Sequence, residues 1–429
     1  MGFVIEIGSF IKLQRTKREM TLKDLAEGIV SVSYLSKIEN LKTQASYDII
    51  QLLCNRLGIQ LDHLDETTIK EKCEQWYSML YDSIDKQEIR GKYEELQDIM
   101  DRNLSESLIM FEIHKIRYYL LIGEFDKSLK KINELSEISK NFSEEETYYW
   151  LKFRGNFYYT KDAEYNKALH LYKIAEEKLK KMEVSEKEKA DLFYIISVTH
   201  SKLRNTLESI DYAEQSLNIY MKLYDFRRCA QCHIVLGISY RRIKMYDRAI
   251  KNYNLAKHLG DLNKDNQVIQ LTNLNLGYLY STKGDKDAAI QYYLEVVHDK
   301  GIHLEAKLTA IAALVKEYYS TLDKEKTKTM IQKGFELLEE NQITNKSEAF
   351  KNYYYIFTTY QYAVENQHDR FEAIVVHEFI PLLKKQKDYA NLVVYAGMLA
   401  EHYEGLGKYK KAAKYYKLAN STYEELINI

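Results

Sequence analysis

Apolar and small residues recur along the chain at helical spacing, and the stretch from Leu236 to Leu259 shows the unit most clearly. Leu236, Gly237 and Tyr240 share one face of a first short helix, and Ala249, Tyr253 and Ala256 share one face of a second. Small residues at 237, 249 and 256 let the two backbones approach closely, and the two tyrosines fill the wedge between them. The spacing returns 40 residues later as Gly277, Tyr280, Ala289, Tyr293 and Val296. It returns again as Ala400, Tyr403, Ala412, Tyr416 and Ala419, and in weaker form as Gly155, Tyr158, Ala168, Tyr172 and Ala175. Degenerate copies read Ile116, Tyr119, Ser128, Ile132, Leu135; Ser197, His200, Ser209, Ala213, Ser216; and Gln361, Val364, Ala373, His377, Ile380. A further copy fits at Val315, Tyr318 and Ile331.

This order of small and aromatic positions resembles the tetratricopeptide repeat, with a period longer than the common ~34 residues and therefore longer helices. One helical hairpin cannot bury its apolar face alone, so neighbours must stack. The expected fold is all-α: an N-terminal helix-turn-helix domain followed by a right-handed α-solenoid of such hairpins, with a concave binding wall.

The first residues follow another pattern. Ile7, Phe10, Ile11 and Leu13 point inward from a helix over Ile7 to Thr16, with Lys12 and Arg15 outward. Thr21 caps a second helix and pairs with Asp24 in a capping box. Glu27 to Val30 is a tight turn, and Ser31 opens a third helix in which Leu35 and Ile38 are buried. A fourth helix, capped by Ser46, buries Ile49, Leu52, Leu53 and Leu57 and stops at Gly58. Two short helices joined by a turn, with Ala26 at the crossing, make a helix-turn-helix. The segment resembles the Cro/C1-type repressor domain, above all in Ser33-Tyr34-Leu35-Ser36-Lys37-Ile38-Glu39-Asn40. Val30 stands where that family usually has glycine, and Leu22 where it usually has a phosphate-touching glutamine, so no phosphate contact is assigned at 22.

In this motif the second helix enters the major groove with its N-terminal residues at base edges. Ser31, Val32, Ser33, Tyr34, Lys37 and Asn40 are the expected readers; hydroxyls and lysine meet base acceptors, and Val32 suits a thymine methyl. Lys12, Arg15, Lys17 and Arg18 form a run without an acid, suited to phosphate. The motif carries this reading rather than the charge, because the first 65 residues hold eight Lys or Arg and eight Asp or Glu. A balanced domain binds DNA weakly alone. Two linked copies on a pseudo-palindromic operator overcome that, and the repeats are the expected dimeriser. The expected domains are 1–65 for DNA, a linker at 66–85 with its helix over about Ile69 to Tyr81, and 86–429 for the repeats.

Composition narrows the choice. One proline and 16 glycines in 429 residues fit a nearly all-helical chain, and the 38 tyrosines fit gap-filling between helices. A formal charge of −1 gives no global field toward nucleic acid or membrane. No apolar run suits a membrane helix, and the N-terminus lacks the basic segment of a signal peptide. Four cysteines without a secretory signal fit a reducing cytoplasm. Cys229-Ala230-Gln231-Cys232 has redox spacing, yet it lacks the sheet context or further metal ligands and reads as buried small side chains. No histidine pairing, phosphate loop or nucleophile elbow appears. No enzyme, metal or cofactor is expected. Glu144-Glu145-Glu146 and Asp323 to Lys326 read as solvated turns.

The wall of the solenoid is lined by the first helix of each pair. Its candidates are Arg117, Asn156, Tyr159, Tyr194, Lys202, His233, Arg241, Arg242, Asn273, Tyr278 and Ser281, a mixture of amides, cations and rings suited to an extended peptide. A Cro/C1-type domain ahead of long-period repeats resembles the RNPP regulators of Gram-positive bacteria, the NprR, PlcR and PrgX type related to the Rap phosphatases. Gly8-Ser9, Ala26-Glu27-Gly28-Ile29 and the 33–40 stretch are particularly similar to the NprR branch. The resemblance implies a quorum-sensing transcription regulator. A short signalling peptide in the groove would change its oligomeric state, dimer or tetramer, and its operator binding. It also implies that repeat-helix asparagines hold the peptide backbone, matching Asn275 and, less closely, Asn156. The rival it implies is a phosphorelay modulator that binds a response regulator through the repeats.

Overall fold

The computed structural model describes residues 7–59, 66–82, 85–102, 105–161, 163–342 and 350–428. Among them there are helices and no strand. Packing divides the chain into two compact units, Met1–Leu192 and Phe193–Ile429.

The first unit opens with α1 (Ile7–Lys17), α2 (Leu22–Ala26), α3 (Val32–Glu39) and α4 (Tyr47–Arg56). Thr21 and Asp24 form the expected capping box, and the Ser31 hydroxyl accepts from the Tyr34 amide at the start of α3. The buried face of α4 differs from expectation: Ile50, Leu53 and Cys54 are inside, Ile49 is half-buried and Leu52 is 50% exposed. Only one flank of this helix meets the others, so its register followed the packing rather than the densest run of leucines. Residues 60–65, at the end of the expected DNA-binding domain, lie outside the described residues.

Six α-helices and the N-terminal part of a seventh complete this unit: α5 (Glu66–Asp82), α6 (Lys86–Arg102), α7 (Leu108–Ile122), α8 (Phe125–Ser136), α9 (Glu144–Thr160), α10 (Tyr165–Leu179) and α11 (Glu186–Lys202), within which the unit boundary falls. The expected linker is a packed element. Trp76 of α5 is fully buried and donates to the Ile89 carbonyl of α6. One continuous core joins Phe10, Leu25, Leu35 and Leu53 of the helix-turn-helix to Trp76, Phe111 and Phe153. Glu146 is not simply solvated, because it closes a capping box with Ser143 at the start of α9.

The second unit continues with α12 (Thr206–Lys222), α13 (Phe226–Arg242), α14 (Tyr246–Leu262), α15 (Asn266–Lys283), α16 (Lys286–His298), α17 (Leu304–Ser320) and α18 (Lys324–Glu340). It ends with α19 (Lys351–Val364), α20 (His368–Ile374), α21 (Ile380–Gln386), α22 (Tyr389–Gly405) and α23 (Tyr409–Asn428). Helices of 17 or 18 residues in α13, α14 and α15 account for the long repeat. Five turns share a device absent from the repeat pattern. A residue of positive φ (Tyr224, Lys264, Gly284, Leu322 or Lys387) reverses the chain, and the aspartate after it caps the next helix. Asp225, Asp265, Asp285, Asp323 and Asp388 each accept from the amide three residues on. Asp323, expected merely to be solvated, is therefore a structural cap.

The glycine–tyrosine pairing is direct. A Cβ on Gly237 would overlap the Tyr253 ring, lying 2.6 Å from its Cδ1, and Gly155 and Gly277 stand the same way against Tyr172 and Tyr293. Gly237→Ala should therefore destabilise by ~1–3 kcal/mol through overpacking, although alanine gains helix propensity. Gly91 of α6 faces nothing within 4 Å. There the same change should stabilise by about 0.5–1 kcal/mol. Urea unfolding of both variants checks the opposite signs, and a stabilised Gly237→Ala would refute the contact.

Two copies of the repeat pattern are corrected. Ala373 and His377 are exposed, while Phe371, Val375 and Phe379 are buried. A π-helical turn at Val375–Phe379, just before Pro381, shifts the register. In the last copy Tyr415 is buried, whereas Tyr416 is 40% exposed and its hydroxyl donates to Glu404.

Candidate functional site

On α3 the residues expected to read DNA divide by role. Ser31, Val32, Ser33, Lys37 and Asn40 are exposed, and Val32 is 45% accessible despite being apolar. Tyr34 is half-buried, its hydroxyl donating to the Gln44 carbonyl, and Asn40 Nδ2 donates to the Ser36 carbonyl at 2.7 Å. The exposed strip is therefore Ser31, Val32, Ser33 and Lys37, on the first turns of a capped helix and directed away from the core.

The basic run on α1 is placed otherwise than expected. The Arg15 guanidinium forks onto Glu39, with Nε 2.7 Å from Oε1 and Nη2 2.9 Å from Oε2, while Nη1 donates to the Met20 carbonyl. This planar match ties α1 to α3, and the bond to Glu39 raises the guanidinium pKa. Lys17 Nζ lies 2.9 Å from Asp101 and 3.0 Å from Glu112. Lys12 Nζ donates to the Glu137 carbonyl, and Arg18 Nη1 donates to Gln14. All four cations thus have partners within the first unit: Lys12, Arg15 and Lys17 reach Glu137, Glu39 and Asp101 far along the sequence, whereas Arg18 turns back to Gln14 four residues earlier. Arg15 is a structural fork rather than a free phosphate contact. The cations left exposed beside α2 and α3 are Lys23, Lys37 and Lys42. Sequence reasoning missed Lys23 and Lys42, although both flank the motif.

The repeat candidates form two groups. In the first unit, Tyr172 is the hub. Its hydroxyl donates to Asn156 Oδ1 at 2.8 Å, and Tyr159 and Arg117 lie close enough to act on its ionisation. Asn156 is 8% exposed and so packs the hairpin rather than lining a surface. Arg117 sits over the Tyr81 ring at 5.8 Å with its Nε buried and unpartnered.

In the second unit, Asn273 is also a packing amide, 1% exposed, with Nδ2 donating to Gln270 and Glu295. Asn275 is half-buried, and its Nδ2 turns back to the Leu271 carbonyl at 2.8 Å. His233 meets Asn252 of α14 at 2.8 Å, inside its own hairpin, and burial lowers its pKa. Ser281 bonds to Glu317, and Lys202 is exposed. Arg241 and Tyr278 do come together, with the guanidinium 4.3 Å from the ring centre. Arg242 and Arg204 join them. Arg204 occupies the positive-φ turn before α12, a position that periodicity does not single out. All four cysteines are buried and free, and Cys229 and Cys232 are buried thiols whose pKa burial pushes up to about 11 and about 12. Among the described residues no helix is long and apolar enough to cross a membrane.

Comparison with known proteins places this architecture. The helix-turn-helix family profile matches residues 11–64, and a tetratricopeptide repeat profile matches residues 272–297. The transcriptional activator NprA of Geobacillus stearothermophilus is 34% identical over 412 residues, covering 94% of this chain and 100% of that protein. Response regulator aspartate phosphatase E of Bacillus subtilis (strain 168) is 28% identical over 276 residues, 62% of this chain and 71% of that protein. Among solved structures, the apo form of the quorum sensor NprR from B. thuringiensis superposes with a TM-score of 0.67 at 22% identity, covering 83% of this chain and 99% of that one. NprR in complex with its cognate peptide NprX superposes with a TM-score of 0.61, covering 86% and 100%. These structural likenesses show the fold.

Proposed function

The chain belongs to the family of the transcriptional activator NprA, the RNPP-type regulators with a helix-turn-helix and tetratricopeptide repeats, and we propose that it is a cytoplasmic, peptide-gated transcription factor. Two copies hold a pseudo-palindromic operator through α3, and a short linear peptide bound by the repeat helices changes the oligomer and hence the operator affinity. The observation that carries the DNA half is the exposed strip Ser31, Val32, Ser33 and Lys37 at the start of α3, the place where this motif meets base edges. Lys23 and Lys42 are the assigned phosphate contacts, in place of the α1 cations. The peptide half draws on NprR, solved with its peptide NprX, and on Arg241, Tyr278 and Asn275 of the second unit.

The core shared by the helix-turn-helix and α5 to α9 lets any rearrangement of those helices bear on α3. A peptide can shift operator binding only by as much as it prefers one arrangement of the helices over another.

Lys37→Ala should cost ~1–3 kcal/mol on the cognate operator and little on random DNA. Equal losses on both would remove the base-reading role. Peptides encoded by any short secreted reading frame beside the gene, titrated against the full chain, should change its mass by light scattering together with operator affinity. Asn275→Ala should weaken that response, and an unchanged response would remove Asn275 from the site. The similarity to aspartate phosphatase E favours a second reading, in which the repeats bind a response regulator. Co-purification with a response regulator in the absence of any peptide effect on DNA would select it.

A further inference from the structure

Three arginines of the second unit meet without an acid. Arg204 lies in the turn after α11, Arg241 and Arg242 in the last turn of α13, and each acts on the ionisation of at least one other. No ion pair joins any of them to a carboxylate among the described residues. Arg242 is partly accounted for, because its Nη1 donates to the carbonyl and the hydroxyl of Ser201. Arg241 is not. Its Nε is buried with no acceptor, and the fully buried Tyr253 hydroxyl, which takes a hydrogen bond from the Arg241 side chain, has no acceptor for its own proton. Glu317 of α17, which like Arg241 bears on Tyr293, is held by the Ser281 hydroxyl.

This arrangement costs the folded protein free energy. Burial and the two neighbouring cations push Arg242 down to about 10, and burial also lowers Arg204. The dipole of α13 favours cations in its last turn, but it supplies no acceptor for the Arg241 Nε or the Tyr253 hydroxyl. Both groups are donors in need of an anion. Tyr278, 52% exposed, lies under the Arg241 guanidinium and leaves the cluster an open side.

We propose that Arg204, Arg241 and Tyr253 form a carboxylate subsite, and that the peptide bound by the repeat helices carries an acidic group there, either a side chain or its own C-terminus. The inference rests on the peptide-binding reading above. A carboxylate takes two parallel N–H bonds from one guanidinium and a third from a hydroxyl, which matches the donors on offer.

The test uses the full chain and three synthetic heptapeptide pools. One has free C-termini and no Asp or Glu, one is amidated with a single Asp, and one is amidated and free of acids. Bound peptides are recovered and counted by mass spectrometry. The wild type should retain at least one carboxylate-bearing pool on the order of 10-fold better than the acid-free pool. Which pool wins tells a side chain from a C-terminus. Arg241→Met and Arg204→Gln should each lose that preference without a lower melting temperature than the wild type. Retention of all three pools alike, or a preference that survives both substitutions, overturns the subsite and leaves peptide binding intact. Retention of none overturns both. Stabilisation of the wild type but not of Arg241→Met by inorganic phosphate, with no pool retained, would make the cluster a phosphate site and overturn the carboxylate assignment.

Discussion

Glu112→Leu will cost the folded protein about 3–5 kcal/mol at pH 7, the scale of removing one partner from a buried ionic network. Glu112 of α7 is fully buried, and three ammonium groups converge on it. Lys17 and Lys115 lie 3.0 and 3.1 Å from Oε1, and Lys131 lies 2.6 Å from Oε2. Deleting the carboxylate strands cations that are already crowded. Lys115 is held down at about 8 by burial even with Glu112 present, so in the variant it should shed its proton and limit the loss. Burial alone would raise the Glu112 pKa, but the three lysines together bring it well below the ordinary range. A carboxyl with a lowered folded pKa contributes stability above its unfolded value near 4.5 and loses it as pH falls through the folded value. The gap between wild type and Glu112→Leu should therefore narrow as the pH is taken from 7 to 3. Urea unfolding followed by circular dichroism reads both effects, and a loss below about 1 kcal/mol at pH 7 would mean that the cluster is not buried as described. Lys17 links this cluster to α1, so the same variant should loosen the helix-turn-helix from α6 and α7.

Lys152→Met should be as severe, again about 3–5 kcal/mol. Lys152 of α9 has no exposed surface and lies 2.7 Å from Asp191, with Glu188 as its second acid. The Tyr148 hydroxyl donates to the same Glu188 at 2.6 Å. Without the ammonium, two carboxylates at the start of α11 remain side by side and poorly hydrated. Burial lowers the Lys152 pKa, but Asp191 and Glu188 together carry it above the ordinary value. Its contribution is therefore complete below about 10.5 and is lost as pH rises through the raised folded pKa. Calorimetry at pH 7 measures the loss, and Lys152→Met combined with Glu188→Gln should recover part of it by removing one stranded charge. A double variant no more stable than the single one would sink the account.

Much of the fold was legible because its signals are local. The Thr21 and Asp24 capping box needs only residues three apart, and the pairing of Gly237 with Tyr253 needs only one hairpin. The misreadings share a cause. Leu52 was placed inside because it is apolar, yet burial depends on which flank of α4 meets a neighbour. Ala373 and His377 kept the repeat spacing across a segment where a π-turn breaks the 3.6-residue period. Tyr416 fits the repeat spacing, yet its neighbour Tyr415 takes the buried place and Tyr416 turns its hydroxyl to Glu404. Asn156 and Asn273 look like peptide-binding amides in a list of helix positions, and each is instead bonded within its own hairpin.

The sequence by itself determined the helices, their caps, the repeat length and the helix-turn-helix, since each depends on backbone geometry and neighbours within a few turns. Tertiary structure decided which charged groups are free to act. Lys17 meets Asp101 across 84 positions and Arg15 meets Glu39 across 24, and a cation neutralised at such range looks, in sequence, no different from Lys37 or Arg241. Coulomb energy depends on distance in space and on access to water, and folding sets both.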